Sequence, residues 1–263
     1  MNSIIQKAKE FEYSSIKYIE ADELGDIEVT VDDTDCVMFY DVKEKHIKVH
    51  WGLNNKDKFI PNLKETIDII RKTLTNTKIN INFILEEHIK TLEHMGFSVK
   101  SEWIDCWHND VKGIKYSENL SIKEIEDEYK ELSVITEKCT DLSRGFYSTS
   151  SEDIESIHKD INSTVLVFKI NEQIVGGCLL QIYGQDSAKG PVLWLKTLAV
   201  DPSYHGQGIG TSLTKAALLW GKKVGATRSF LAVDTENTAL KIYENLGYIK
   251  NEGRGEINME LKI

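Results

Sequence analysis

The stretch Leu198-Ala199-Val200-Asp201-Pro202-Ser203-Tyr204-His205-Gly206-Gln207-Gly208-Ile209-Gly210-Thr211 decides how this chain is read. An apolar run, Trp194 to Val200, reads as a strand and stops at Pro202; three alternating glycines then lead into an amphipathic helix predicted from about Gly210 to Val224. Glycine lacks a Cβ, so its backbone can come close to a ligand and adopt positive φ. The first N–H groups of a helix have no intrahelical acceptor and lie at the positive end of its dipole. Together these features describe a backbone cradle for an anion, typically a phosphate. Two familiar phosphate loops are excluded: no lysine follows Gly210 as a P-loop requires, and glycines at 206, 208 and 210 do not have the GxGxxG spacing. A turn whose glycines only bend the chain would carry the same residues, so the surroundings must decide.

Around this stretch, Thr164 to Ile170 and Ile174 to Tyr183 read as paired strands, Ser229 to Val233 as a strand, and Thr238 to Asn245 as a helix ended at Gly247. Glu256 to Lys262 is the last predicted strand. Ser121-x-x-Glu124 is a capping-box pattern that predicts the start of a charged helix, and a loop at Ser143 to Ser151 precedes a short helix from Glu152 to Asp160. Farther upstream, Cys36 to Tyr40 and His46 to Trp51 predict a hairpin, Pro61 opens a helix, and Lys78 to Leu85 alternates as a strand. Glu86 to Met95 is a short helix stopped by Gly96, and Ser98 to Trp107 is a strand. The polar segment His108 to Asn119 is the expected linker. The halves match at an offset of 151 residues, which lays Gly96 on Gly247, Phe97 on Tyr248 and Leu63–Leu74 on Thr214–Gly225. We therefore expect an α/β fold (α+β, with a mixed sheet) in two domains, 1–112 and 113–263, that repeat one another.

Composition narrows the classes. With 42 acidic and 32 basic residues the net charge is −10, which argues against a nucleic-acid binder. Hydrophobic content of 41% is enough for a core. No apolar run is long enough to span a bilayer, and the start Met1-Asn2-Ser3-Ile4-Ile5-Gln6 lacks the apolar core of a signal peptide, so no membrane association is expected. Cys36, Cys106, Cys139 and Cys178 stand far apart and read as reduced thiols; the expected location is cytoplasmic. His88 and His94 do not share a helix face and Asp32-Asp33-x-Asp35 lacks a Ca²⁺-loop partner, so no metal is expected. Among the five tryptophans, four lie in apolar periodic stretches and are expected in the core.

The segment Leu198–Pro202 followed by His205-Gly206-Gln207-Gly208-Ile209-Gly210 resembles the acetyl-CoA-binding motif of the GCN5-related N-acetyltransferases (GNAT), written (Arg/Gln)-x-x-Gly-x-(Gly/Ala). Asn237-Thr238-Ala239-Leu240-Lys241-Ile242-Tyr243-Glu244-Asn245-Leu246-Gly247-Tyr248 is similar to that family's second signature, with Ala239 one position early. The resemblance covers Ser121 to Ile263. It implies two GNAT-like acyl-CoA N-acyltransferase domains in tandem and transfer of an acetyl group from acetyl-CoA to a primary amine of a small molecule or peptide.

By this resemblance Leu198, Ala199, Val200, His205, Gly206, Gln207, Gly208, Ile209, Gly210, Thr211, Asn237 and Tyr243 would hold acetyl-CoA. Main-chain groups near Leu198 and Val200 would pair with its pantetheine arm, which would enter a V-shaped opening between Trp194–Val200 and Ser229–Val233. A neutral His205 would donate one hydrogen bond to the pyrophosphate in place of arginine's charged fork. Tyr243 would be the general acid that protonates the departing thiolate; a tyrosine simply packed in the core would have the same spacing. No general base stands out, Glu236 being the nearest acid. Phe146, Tyr147 and Trp194 are the expected acceptor contacts. In the first half the cradle's counterpart, Trp51 to Lys58, keeps only Gly52, Leu92 replaces Tyr243 and Glu86 replaces Asn237, so that half is expected to have lost the cofactor. An acyl-CoA-binding regulatory protein without turnover and a transferase of another acyl group stay open as alternatives.

Overall fold

The computed structural model describes residues 2–17, 19, 24–43 and 46–263. Residues 21–23 and the turn residues Glu44 and Lys45 of the expected first hairpin lie outside the described residues. The chain forms two units, Met1–Glu102 with Glu256–Ile263, and Trp103–Gly255. Compared with the expected division at 112/113, the final strand joins the first unit, and the second unit begins inside a strand of the first half.

In the first unit the elements run α1 (Asn2–Glu10), β1 (Tyr13–Ser14), β2 (Ile27–Asp32), β3 (Cys36–Val42), β4 (Ile47–Leu53), α2 (Phe59–Thr73), β5 (Lys78–Ile81), α3 (Ile89–His94) and the start of β6 (Ser98–His108). The sheet order is β2-β3-β4-β5, then the C-terminal strand Glu256–Lys262, then β6, with β1 beside β4. Leu261 pairs with Ile79 and Met259 with Ile81, which is why the last strand belongs here. β3 is buried on both faces: Cys36, Met38 and Tyr40 pack toward α2, while Val37 and Phe39 pack toward α1. The strand expected over Lys78 to Leu85 stops at Ile81, and Phe83 then turns with φ +60°. Gly96 ends the α3 segment with φ +94°, the left-handed cap that glycine accepts without a Cβ clash.

In the second unit β6 finishes from Trp103 to His108, followed by β7 (Ile122–Glu124), α4 (Tyr129–Lys138), α5 (Ser151–Lys159), β8 (Ser163–Ile170), β9 (Gln173–Tyr183), β10 (Val192–Val200), α6 (Ile209–Lys223), β11 (Arg228–Asp234), α7 (Leu240–Asn245) and β12 (Ile249–Lys250). The remaining strand, β13 (Glu256–Lys262), is the one already placed in the first unit. The order is β6-β11-β10-β9-β8-β7, with β12 on β6. β10 and β11 are parallel, and the other pairs are antiparallel. One face packs Ile104, Leu231, Val233, Leu193 and Leu195 under α6 and α7; on the other, α4 and α5 cover Val165, Val167, Leu179 and Ala199.

The offset of 151 residues survives in the fold: α3 maps onto α7 and α2 comes within one residue of α6. Two expectations fail. Ser121 to Glu124 does not cap a helix, because Ile122 pairs with Phe168 and Glu124 with Leu166, and the Thr164 hydroxyl donates to Glu124 Oε1 at 2.8 Å. Strand pairing overrides the local capping pattern, and the helix begins only at Tyr129. Nor is His108 to Asn119 a linker. Val111 and Ile114 are buried in the second unit's core, the Val111 N–H donates to the Thr227 carbonyl at 3.1 Å, and Lys222 Nζ holds the Ile114 carbonyl at 2.6 Å.

Candidate active site

The cradle is built where β10 leaves its neighbour. β10 pairs with β11 only over Val192–Trp194 and Arg228–Phe230, so beyond Trp194 and Phe230 the two parallel strands part. A bulge between Leu195 and Thr197 shifts β10 against β9 and sharpens its bend at that point. The expected V-shaped opening therefore begins after Trp194. Past its end Asp201 accepts from the Ser203 N–H at 2.9 Å, and a single turn at Pro202–Tyr204 turns the chain toward α6.

Gly206 and Gly208 have φ of +76° and +78°, and a Cβ on either would meet nothing within 4 Å. They are therefore glycines for backbone conformation and open space, not for tight packing. Gly208 is the left-handed N-cap of α6, and no side chain caps that helix. The first intrahelical bond is Ser212 N–H to Gly208 C=O at 3.0 Å. Among the described residues, the N–H groups of Gly206 to Thr211 have no protein acceptor. Six consecutive donors at the positive end of a 15-residue helix fit an anionic pyrophosphate. Ile209 is buried and anchors the turn, while Gln207 is exposed. Gly210 lies 3.5 Å (from an added Cβ) to Ile242 and 3.9 Å to Leu198, which brings the cradle, α7 and β10 together.

His205 is held by the strand it follows. Its Nε2 lies 2.8 Å from the Val200 carbonyl, which can only accept, so that nitrogen carries the proton. That N–H is committed to the strand rather than turned to the open turn. Cys139 Sγ also donates to the same carbonyl at 3.4 Å, so the Val200 C=O, expected to pair with the pantetheine arm, is already engaged.

Tyr243 lies in the core of the second unit, 6% exposed, with its ring 5.9 Å from that of Tyr248. Among the described residues its hydroxyl has no hydrogen-bond partner, while its ring is held in the core. Burial pushes its pKa up, with the neighbouring Cys106 and Cys178 adding to the effect, and the phenol stays protonated at neutral pH. That suits a proton donor. Tyr248, by contrast, is tied to Ser229 Oγ at 2.7 Å.

Asn237 is structural in its contacts: Oδ1 accepts from the Ala239 N–H at 2.8 Å and Nδ2 donates to Ser143 Oγ at 3.0 Å. Arg144 pairs with buried Asp234 at 3.2 Å and with Glu236 at 3.0 Å, which ties the loop after α4 to the end of β11. Glu236 is thus a solvated, salt-bridged acid. Phe146 packs against the core under α4 and α5, Tyr147 is 69% exposed, and Trp194 lies half-buried at the start of the opening. Of the tryptophans only Trp51, 1% exposed, is a core residue; Trp103, Trp107, Trp194 and Trp220 are half-buried, against the expectation that four are in the core.

The counterpart in the first unit is built differently. A Cβ on Gly52 would come within 2.5 Å of the Ala8 carbonyl oxygen, so this glycine admits α1, not a ligand. Asn55 Oδ1 already accepts from the Asp57 N–H at 3.0 Å, and Leu92 is wholly buried. Among the described residues no cluster of metal-binding side chains occurs, and no helix is long and apolar enough to cross a membrane.

Known proteins place this geometry in a family. Residues 123–248 match the Acetyltransferase (GNAT) family. The mycothiol acetyltransferase of Thermobispora bispora is 34% identical over 79 residues, 29% of this chain and 27% of that protein. N-alpha-acetyltransferase 30 of Schizosaccharomyces pombe is 34% identical over 83 residues, 30% of this chain and 53% of that protein. The chain therefore spans about a quarter to a half of the length of these relatives. A GCN5-related N-acetyltransferase from Sphaerobacter thermophilus shares the fold over 88% of this chain and 81% of its own, with a TM-score of 0.59 and 13% identity. The chain carries a GNAT-family domain, and its fold is that of the GNAT acyl-CoA N-acyltransferases.

Proposed function

We propose that the chain transfers the acetyl group of acetyl-CoA to an amine, with the second unit active and the first a degenerate copy that has lost the cofactor site. The observation that carries this reading is the row of unpaired N–H donors from Gly206 to Thr211 beside the parting of β10 and β11. These donors would hold the pyrophosphate. The edge of β10 near Leu198 would receive the pantetheine arm and stabilise the oxyanion of the attacked carbonyl with strand N–H groups. Acetyl-CoA supplies the activated thioester. Tyr243, kept protonated by burial and without a hydrogen-bond partner among the described residues, would give its proton to the departing thiolate. With His205 Nε2 engaged by the Val200 carbonyl, binding would rest mainly on the backbone.

Thermal unfolding with and without acetyl-CoA, followed by release of free CoA thiol with a panel of amines, tests the reading. A stabilised protein that releases thiol with an amine supports it. Stabilisation without turnover on any amine indicates a binding protein, and no stabilisation at millimolar acetyl-CoA removes the cradle.

A further inference from the structure

On the face of the second unit's sheet that α4 and α5 cover, their cover does not extend over β6 and β11 among the described residues. The core under α4 and α5 includes no residue of β6 or β11. On that face four aromatic rings form a line across four adjacent strands. Tyr183 of β9 lies 6.3 Å from Trp194 of β10, Trp194 lies 6.3 Å from Phe230 of β11, and Phe230 lies 4.9 Å from Trp107 of β6. Ala232, two residues beyond Phe230 and so on the same face, is exposed although its strand is central. It lies just past the point where β10 and β11 part. Opposite Ala232, one strand away, stands Asp105 of β6, on the same face as Trp107.

Asp105 has no cation partner among the described residues; its one side-chain bond is a long contact from Asn251 Nδ2 at 3.5 Å. Burial holds its pKa above the usual aspartate value. Asp234, farther along the same face, is by contrast satisfied by Arg144 at 3.2 Å. A half-buried carboxylate without a counter-ion, beside aromatic rings and at the mouth of the opening, is placed to gain from an ammonium. Two cations limit that gain: Lys196 lies 4.9 Å over the Trp194 ring and Arg228 5.1 Å over the Trp107 ring. A ligand with several positive charges would meet them.

We propose that this face receives the acceptor, a monoamine with an aromatic or large apolar body, and that Asp105 holds its ammonium beside the opening. The proposal rests on the acetyltransferase reading for the reaction, but not for the binding. The rings would stack on the apolar body, and Lys196 and Arg228 would exclude polyamines.

Because three tryptophans of the second unit (Trp103, Trp107 and Trp194) lie on β6 and β10, their fluorescence reports binding without turnover. The test titrates phenethylamine, ethanolamine and spermine into protein saturated with CoA, which has no acetyl group to transfer, for wild type, Asp105→Asn and Asp105→Glu. Phenethylamine should perturb the emission at least tenfold more tightly than ethanolamine or spermine. Asp105→Asn should weaken it about tenfold or more, and Asp105→Glu should recover part of the loss, with acetyl-CoA affinity equal in all three. KM for phenethylamine should rise in Asp105→Asn by a similar factor. Spermine or ethanolamine binding as tightly as phenethylamine, no response to phenethylamine, or an Asp105→Asn protein within twofold of wild type would each overturn the proposal. A protein that binds phenethylamine here but releases no thiol contradicts the acetyltransferase reading and leaves the face intact.

Discussion

Gly208 separates conformation from charge at the cradle. Its φ of +78° is a region that other L-residues enter at a cost, and a Cβ there would meet nothing within 4 Å. Gly208→Ala should therefore destabilise the fold by about 1–2 kcal/mol through backbone strain alone. Gly208→Asp carries a similar strain and adds a carboxylate at the N-cap of α6. Aspartate is itself a favoured N-cap, so in the free protein it should recover part of the strain by accepting from the open N–H groups. With acetyl-CoA present, the same carboxylate would confront the pyrophosphate. Two unit charges about 4 Å apart repel by about 1 kcal/mol in water and about 4 kcal/mol near a protein surface. The expected loss of affinity is thus about 5- to 10³-fold for Gly208→Asp, and severalfold at most for Gly208→Ala. Isothermal titration with acetyl-CoA at low and high salt measures both, and the gap between the variants should narrow as salt screens the repulsion. Equal affinities for Gly208→Asp and wild type would refute the reasoning, since no anion could then sit at the N-cap.

Further outcomes follow from other contacts. Tyr243→Phe should leave acetyl-CoA affinity unchanged and lower kcat by about 10²–10⁴, read by thiol release at saturating substrates; an unchanged kcat would remove the phenol from the chemistry. His205→Arg should tighten acetyl-CoA binding at low salt by restoring a permanent charge, a gain that calorimetry at two salt concentrations would reveal. Gly52→Ala should destabilise the first unit by about 1–3 kcal/mol, because its Cβ would come within 2.5 Å of the Ala8 carbonyl, without changing acetyl-CoA affinity. In the first unit burial lowers the pKa of His50, outweighing the contribution of Asp41 at 3.1 Å. The unfolded chain then takes up a proton below about pH 6.5 that the folded chain refuses, so stability should fall on acidification from there, by up to about 1.4 kcal/mol per pH unit. Urea unfolding at pH 7.5 and 5 should show that slope, and His50→Gln should flatten it.

What the sequence made legible is local and periodic. The strand, glycine turn and helix were readable because they are contiguous from Trp194 to Lys223, and the chain's own periodicity marks them. The repeat was readable because the spacing from α2 through α3 is kept. What stayed hidden depends on pairing between distant segments. Ser121–Glu124 carries a helix-start pattern that a neighbouring strand overrides. The final strand reads as part of its own half, yet pairs with Ile79 and Ile81. Asp105 escaped notice for the same reason: it precedes β11 by more than a hundred residues, and only the pairing of Asp105 with Ala232 brings it to the opening. The commitment of His205 to Val200 is likewise a matter of one side-chain rotamer, which no spacing encodes.

The most direct test of the account is amide NMR of the protein titrated with acetyl-CoA. The N–H signals of Gly206, Gly208, Gly210 and Thr211 should shift strongly and saturably, while those of Gly52 to Lys58 stay where they are. Unmoved cradle signals at millimolar acetyl-CoA, or an equal response from the first unit, would contradict the claim that the second unit's backbone holds the cofactor.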